Sequence, residues 1–191
     1  MPLSIEILNN YVKDFKVFVE TGTLDGTGVK LAKSVGFEHI QSIELDEKCY
    51  NFATCVFKDN KNIKIYQGDS ASVLNNVLES IKDNTVFWLD AHPLGYLTIN
   101  NTPIKGELKA IKDWMVTTGL KPIILIDDMR LFENKQELMG LIVSTFHEFW
   151  NKIECTMTNE NVINKPSCVL EVKIKFLDSH VASKDIMEVR F

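Results

Sequence analysis

Three aspartates, Asp90, Asp127 and Asp128, close two strongly apolar runs, 85–89 and 122–126. If the two runs are neighbouring strands, the three carboxylates meet, and each raises the pKa of the others unless a cation compensates. An all-oxygen set suits Mg²⁺ or Ca²⁺ better than zinc, with waters and substrate oxygens completing the shell. The same residues would serve equally well as solvated loop starts or helix caps. His92 follows Asp90 by two positions, and its ring can act as a general base near a reacting group. A lone loop histidine is more often structural.

A second constellation runs Glu20-Thr21-Gly22-Thr23-Leu24-Asp25-Gly26-Thr27-Gly28, between an apolar run and a helical pattern. Gly22 and Gly26 let backbone approach a ligand closely and adopt positive φ. The glycines fall at 22, 26 and 28, which departs from the Gly-x-Gly-x-x-Gly spacing of dinucleotide sites. Glu44 closes the next apolar run, where a carboxylate can accept hydrogen bonds from ribose hydroxyls of NAD or of S-adenosylmethionine alike. Asp46 is the better cap for the helix that follows. Beyond Gly68, Asp69 or Ser70 can meet an adenine edge, cap the next helix, or do both.

These residues need elements to hold them. Ile5, Leu8, Val12 and Phe15 recur at helical spacing, which predicts a helix over 5–15. Apolar runs at 17–20, 39–45, 63–66, 85–90 and 122–128 read as strands, each followed by a helical pattern: 29–35, 47–57, 73–81, 103–116 and 135–150. Two further runs, 153–158 and 168–174, have only a polar loop between them and read as a hairpin. The alternation predicts an α/β fold: a doubly wound, Rossmann-like, seven-stranded and mostly parallel sheet with helices on both faces and an antiparallel C-terminal β-hairpin. Ligands of such sheets bind outside the carboxyl ends of the strands. Five of those ends carry acids here.

Length places everything in one domain, with an N-terminal helix at 1–15, a core at 16–175 and a tail at 176–191. A formal net charge of −5, with no Lys/Arg run, offers no footprint for nucleic acid. The four cysteines are too widely spaced for a zinc site and read as free thiols in a reducing compartment. Without a secretory pattern or a membrane-length apolar run, the expected setting is cytoplasmic. The tail mixes charge with Val181, Ile186, Met187, Val189 and Phe191, so packing on the domain, a homodimer contact and solvated disorder are all open.

Taken together, residues 19–26, 42–46, 68–70, 88–92 and 124–128 resemble the class I S-adenosylmethionine-dependent methyltransferases. They are most similar to the metal-dependent O-methyltransferases related to catechol O-methyltransferase and to the macrolide-sugar and novobiocin-sugar enzymes. The resemblance implies O-methylation of a small hydroxylated molecule such as a sugar or phenol. It places Glu20, Gly22 and Thr23 around the methionine portion of the cofactor, Gly26 in the same cofactor cradle, Glu44 on the ribose, and Asp69 and Ser70 near the adenine. It makes Asp90, Asp127 and Asp128 the ligands of Mg²⁺, with Asp90 also bordering the cofactor. Catechol-type enzymes carry a lysine base three residues after the first metal aspartate. Pro93 stands there, leaving His92 and Lys105 as candidate bases. A non-catalytic cofactor-binding domain and an NAD-linked oxidoreductase are the alternatives; the glycine spacing disfavours the second.

Overall fold

Alternation along the strands decides which side chains meet which helices. The computed structural model describes residues 3–93, 95–128 and 131–147, and the backbone of 153–162 and 165–174. In β1 (Val17–Thr21) and β4 (Thr85–Leu89), Val17, Val19, Phe87 and Leu89 point into one core, while Phe18, Val86 and Trp88 point into the other. The first core is closed by α4 (Ser70–Glu79), α5 (Ile104–Thr118) and α6 (Lys135–Thr145). The second is closed by α1 (Ile5–Asn9), α2 (Thr27–Val35) and α3 (Glu47–Phe57). Strands buried on both faces read as unbroken apolar runs, which is why they stand out in the sequence.

With β2 (His39–Glu44), β3 (Ile63–Gln67) and β5 (Ile123–Ile126), the described sheet has five parallel strands in the order β3-β2-β1-β4-β5. The chain moves outward from β1 to β3, then returns to lay β4 on the other side of β1. The order therefore reverses between β1 and β4, and ligands of doubly wound sheets bind at such a switch point. Register puts Thr21 beside both Ile43 and Leu89, and Leu89 beside Ile126. The strand ends consequently lie level along one rim.

Of the seven expected strands, five are described with their side chains, and these five are parallel as expected. The expected hairpin falls where no side chain is described, and the 176–191 tail lies outside the described residues. The first helix is shorter than 5–15 because Asn10 caps it, and its N–H reaches back to Ile7 and Leu8. Leu8 and Tyr11 stay buried regardless, so the helical spacing reported a real apolar face. Among the described residues no helix is long and apolar enough to cross a membrane.

Candidate functional site

Each strand end hands its residues to a loop whose geometry follows from local chemistry. Gly22 leaves β1 with φ +86°, a conformation glycine adopts without strain. An added Cβ would lie 2.5 Å from the Asp90 carbonyl oxygen, so the absent side chain lets β1 and β4 close on each other. Gly26 (φ +74°) starts α2 without a side chain to cap it, and the Thr27 N–H donates instead to Asp25 Oδ1 at 3.0 Å. Gly28 has a different cause: a Cβ there would overlap the Glu20 carboxylate. Glu20 is 3% exposed and accepts from Ser42 Oγ at 2.7 Å, which in turn contacts Thr23 Oγ1 at 2.6 Å. Burial pushes the Glu20 carboxyl up to about 8, with the charges of Asp90, Glu44 and Asp25 adding to the rise against the Ser42 hydrogen bond.

Glu44 closes β2 and holds the turn from the opposite side. Its Oε2 accepts from the Leu24 N–H at 2.7 Å and its Oε1 from the Asp46 N–H at 2.8 Å. A carboxylate has about four acceptor positions, so both oxygens keep capacity for ligand hydroxyls. Asp46 caps α3, as expected, accepting from the Lys48 and Cys49 N–H groups. Asp69 caps α4 through the Ala71 N–H, as one reading of it expected, and also lines the crevice. Ser70 is buried, and its hydroxyl donates inward at 2.6 Å to Glu107 on α5.

Beyond the switch point, the Asp90 N–H donates to the Thr21 carbonyl, and the Asp127 N–H donates to the Leu89 carbonyl, both at 3.0 Å. The two strand-end acids are thus neighbours, as the sequence suggests. Asp127 is 2% exposed; burial, together with the charge of Asp90, raises its pKa. Asp128 sits in the left-handed region (φ +50°), a strained setting characteristic of functional loops. His92 stands against this group. Its Nε2 lies 3.0 Å from Asp90 Oδ1 and 3.6 Å from Asp128 Oδ2, while Nδ1 contacts the Pro93 carbonyl at 3.1 Å. A carbonyl only accepts, so Nδ1 carries a proton, and a neutral ring would then aim a bare lone pair at two carboxylates. Burial favours the neutral form, yet the contacts with Asp90, Pro93 and Asp128 outweigh it and hold the ring pKa at about 9.

This arrangement bears on the metal expectation. The His92 ring lies against two of the three carboxylates, Asp90 and Asp128, and Asp127 Oδ1 accepts from the Asp128 N–H. Among the described residues no group of three or more His, Cys, Asp or Glu has the placement of a metal site. Lys105 is exposed and does not itself line the crevice, but its Nζ donates at 2.7 Å to Oδ1 of Asn100, which does. Glu107, by contrast, was not singled out from the sequence. It shares the inner face of α5 with Ile104, Leu108 and Ile111, and a carboxylate at that helical spacing was the available signal.

All these groups border one cavity of about 1410 Å³, closed on the far side by Asn100, Asn101, Thr102 and Pro103. That wall is built rather than loose: Leu97 is fully buried, and its N–H and carbonyl bond Leu131 and Glu133 at 2.9 and 3.0 Å. Single-ligand pockets run to about 1,000 Å³, so the cavity has room for a nucleoside cofactor and an acceptor together.

The buried acids give a stability signature. Glu20 (about 8), Glu107 (about 7, raised chiefly by burial) and His92 (about 9) all hold their protons more tightly folded than unfolded. A raised pKa contributes stability that is complete below the unfolded value and is lost as pH climbs through the folded one. The ligand-free protein is therefore expected to melt at a progressively lower temperature from pH 5 to pH 9. Each group contributes up to about 1.4 kcal/mol per pH unit across its own window. A fluorimetric melting series in constant ionic strength checks this, and a curve that rises with pH would contradict it.

No protein-family model and no curated protein matches the chain. Solved structures do. An O-methyltransferase from Bacillus cereus, in complex with S-adenosylhomocysteine, superposes with a TM-score of 0.60 at 13% identity, covering 92% of this chain and 82% of that one. The O-methyltransferase TomG from Streptomyces achromogenes, in complex with S-adenosylmethionine, gives 0.59 at 10% identity over 90% and 79%. An rRNA methylase from Streptococcus thermophilus gives 0.57 at 12% identity over 92% and 99%. The chain has the fold of the class I S-adenosylmethionine-dependent methyltransferases.

Proposed function

We propose that the protein is an S-adenosylmethionine-dependent methyltransferase acting on an oxygen of a small hydroxylated molecule. The observation that carries this reading is the union, in one cavity, of the Gly22–Glu44 cradle with the His92–Asp90 pair. The cofactor supplies a methyl group activated by its sulfonium; the protein's work is alignment and proton management. Glu20, Gly22, Thr23 and Gly26 surround the methionine portion, Glu44 takes the ribose, and Asp69 and Ser70 take the adenine. The His92–Asp90 pair takes up the acceptor's proton. Several neighbours of this fold are named O-methyltransferases, which agrees with an oxygen acceptor.

Charge narrows the acceptor. Nine of the residues lining the cavity are Asp or Glu, and among the described ones none is Lys or Arg. A cationic cofactor is welcome in such a field, whereas a phosphate backbone is repelled. The rRNA methylase thus shares the fold without lending its substrate. The free thiols of Cys49 and Cys55 agree with a reducing cytosolic setting. The remaining two strands, β6 (Ile153–Val162) and β7 (Lys165–Ile174), complete the sheet as a reversed hairpin in this reading. The antiparallel register of Ile126 with Leu170 and of Cys155 with Val172 supports it.

Thermal-shift measurement with S-adenosylhomocysteine tests the proposal. At a hundredfold excess over Kd, binding stabilises the native state by about 2.7 kcal/mol. That raises Tm by roughly 5–10 °C in a domain of this size. The shift is expected to be the same with and without Mg²⁺. No shift would refute the cofactor assignment, and a shift with NADH in its place would favour the oxidoreductase.

A further inference from the structure

We propose that Glu107 is a positioning residue that ties the adenine end of the cradle to the switch point, an inference that rests on the cofactor reading above. Glu107 lies in the first turn of α5, outside the cavity lining, and is 2% exposed. Burying a carboxylate costs several kcal/mol unless its oxygens are well served. One hydroxyl bonds this carboxylate directly and a second favours its charged form. Ser70 Oγ donates to Glu107 Oε1 at 2.6 Å, and the Thr21 hydroxyl interacts with the same carboxylate.

Those two hydroxyls belong to different parts of the site. Ser70 opens α4, directly after the Gly68–Asp69 turn. Thr21 ends β1, and its Oγ1 accepts from the Asp90 N–H at 3.3 Å. A chain of contacts therefore runs Ser70–Glu107–Thr21–Asp90, from the adenine end to the acids facing the acceptor. Packing keeps α5 in reach: a Cβ on Gly106 would meet Ala71 Cβ at 2.5 Å, so only glycine lets α5 come this close to α4. Glutamine at 107 would keep shape and volume but turn an N–H₂ toward one of two hydroxyl donors, leaving that donor without an acceptor.

Calorimetric titration of S-adenosylhomocysteine and of adenosine into wild type, Glu107→Gln, Ser70→Ala and the double variant tests the tie. Glu107→Gln is expected to weaken both ligands by the same factor, about tenfold, the size of one lost hydrogen bond to a charged group. Because Glu107 acts through Ser70, the double variant is expected to lose little more than the worse single one. A merely structural role would lower melting temperature and leave the two losses independent. Unchanged affinity in Glu107→Gln, or strictly multiplicative losses, would overturn the inference alone. Wild type that fails to bind S-adenosylhomocysteine would overturn the cofactor reading and this inference with it. Should Glu107→Gln not fold, Thr21→Val, which removes one hydroxyl at constant shape, carries the test. It is expected to weaken S-adenosylhomocysteine binding severalfold, and wild-type affinity would overturn the tie.

Discussion

Gly22→Ala is expected to lose at least about a hundredfold in S-adenosylhomocysteine affinity, roughly 2.7 kcal/mol, and to melt lower than wild type. Two independent costs produce this. At φ +86° a Cβ strains the backbone by about 1–2 kcal/mol. The same Cβ would stand 2.5 Å from the Asp90 carbonyl oxygen and 3.2 Å from Ala91 Cα, and backbone atoms cannot rotate away as a side-chain tip can. Nor can the turn retreat, because the Gly22 N–H is bonded to the Ile43 carbonyl at 2.9 Å. β1 and β4 must therefore part at the switch point, where the cradle is formed. Gly36→Ala separates the two costs, since Gly36 has φ +105° but nothing within 4 Å of its Cβ position. That variant should melt lower yet bind the ligand as wild type does. Calorimetry beside melting curves measures both, and a Gly22→Ala protein with native affinity would show that the close approach does not shape the cofactor site.

His92→Ala is expected to cut turnover by about 10²–10⁴-fold, the usual worth of a positioned acid–base group, while S-adenosylhomocysteine affinity stays within about twofold of wild type. The ring touches Asp90, Asp128 and the Pro93 carbonyl, and none of these contacts involves Glu44 or the Ser70 turn. The sign of the pH dependence follows from the same contacts. Asp90 and Asp128 hold the ring protonated up to about pH 9, so its basic form grows as pH rises. Wild-type turnover should climb from pH 7 to pH 9 and level beyond, and the variant should lack that climb. Initial rates under saturating cofactor across this range decide the matter. A variant that turns over normally, or one that keeps the wild-type pH profile, would remove His92 from the chemistry.

Much of the rim was legible in the residues themselves. Val17 to Thr21, Thr85 to Leu89 and Ile123 to Ile126 are buried on both faces, so they appear as unbroken apolar runs, and their ends are marked by Glu20, Asp90 and Asp127. Asp46 and Asp69 cap helices because their side chains bond N–H groups two or three residues away, a strictly local event. The adjacency of Asp90 and Asp127 was conditional on β4 and β5 being neighbours, and the fold pairs them. Helix lengths were less secure, since Asn10 ends α1 while Val12 and Phe15 continue its spacing.

The direction in which loop and helix side chains point required the folded molecule. Three carboxylates in sequence suggested a metal, but the fold brings His92 against two of them, and a charge so placed changes what the cluster needs. Lys105 bonds Asn100, a residue of the crevice wall, rather than lining the crevice itself. Glu107 and Ser70 are 37 positions apart, and only the glycine-mediated approach of α5 to α4 joins them. By itself, then, the sequence determined the strands, their acidic ends and the helix caps, because these depend on residue periodicity and on contacts within a few positions. The tertiary structure alone decided which ends face each other across Gly22, which charge compensates the aspartates and which carboxylate is buried beneath the cradle. Those outcomes depend on sheet order and on the distance between helices, and neither is written in any short stretch of chain.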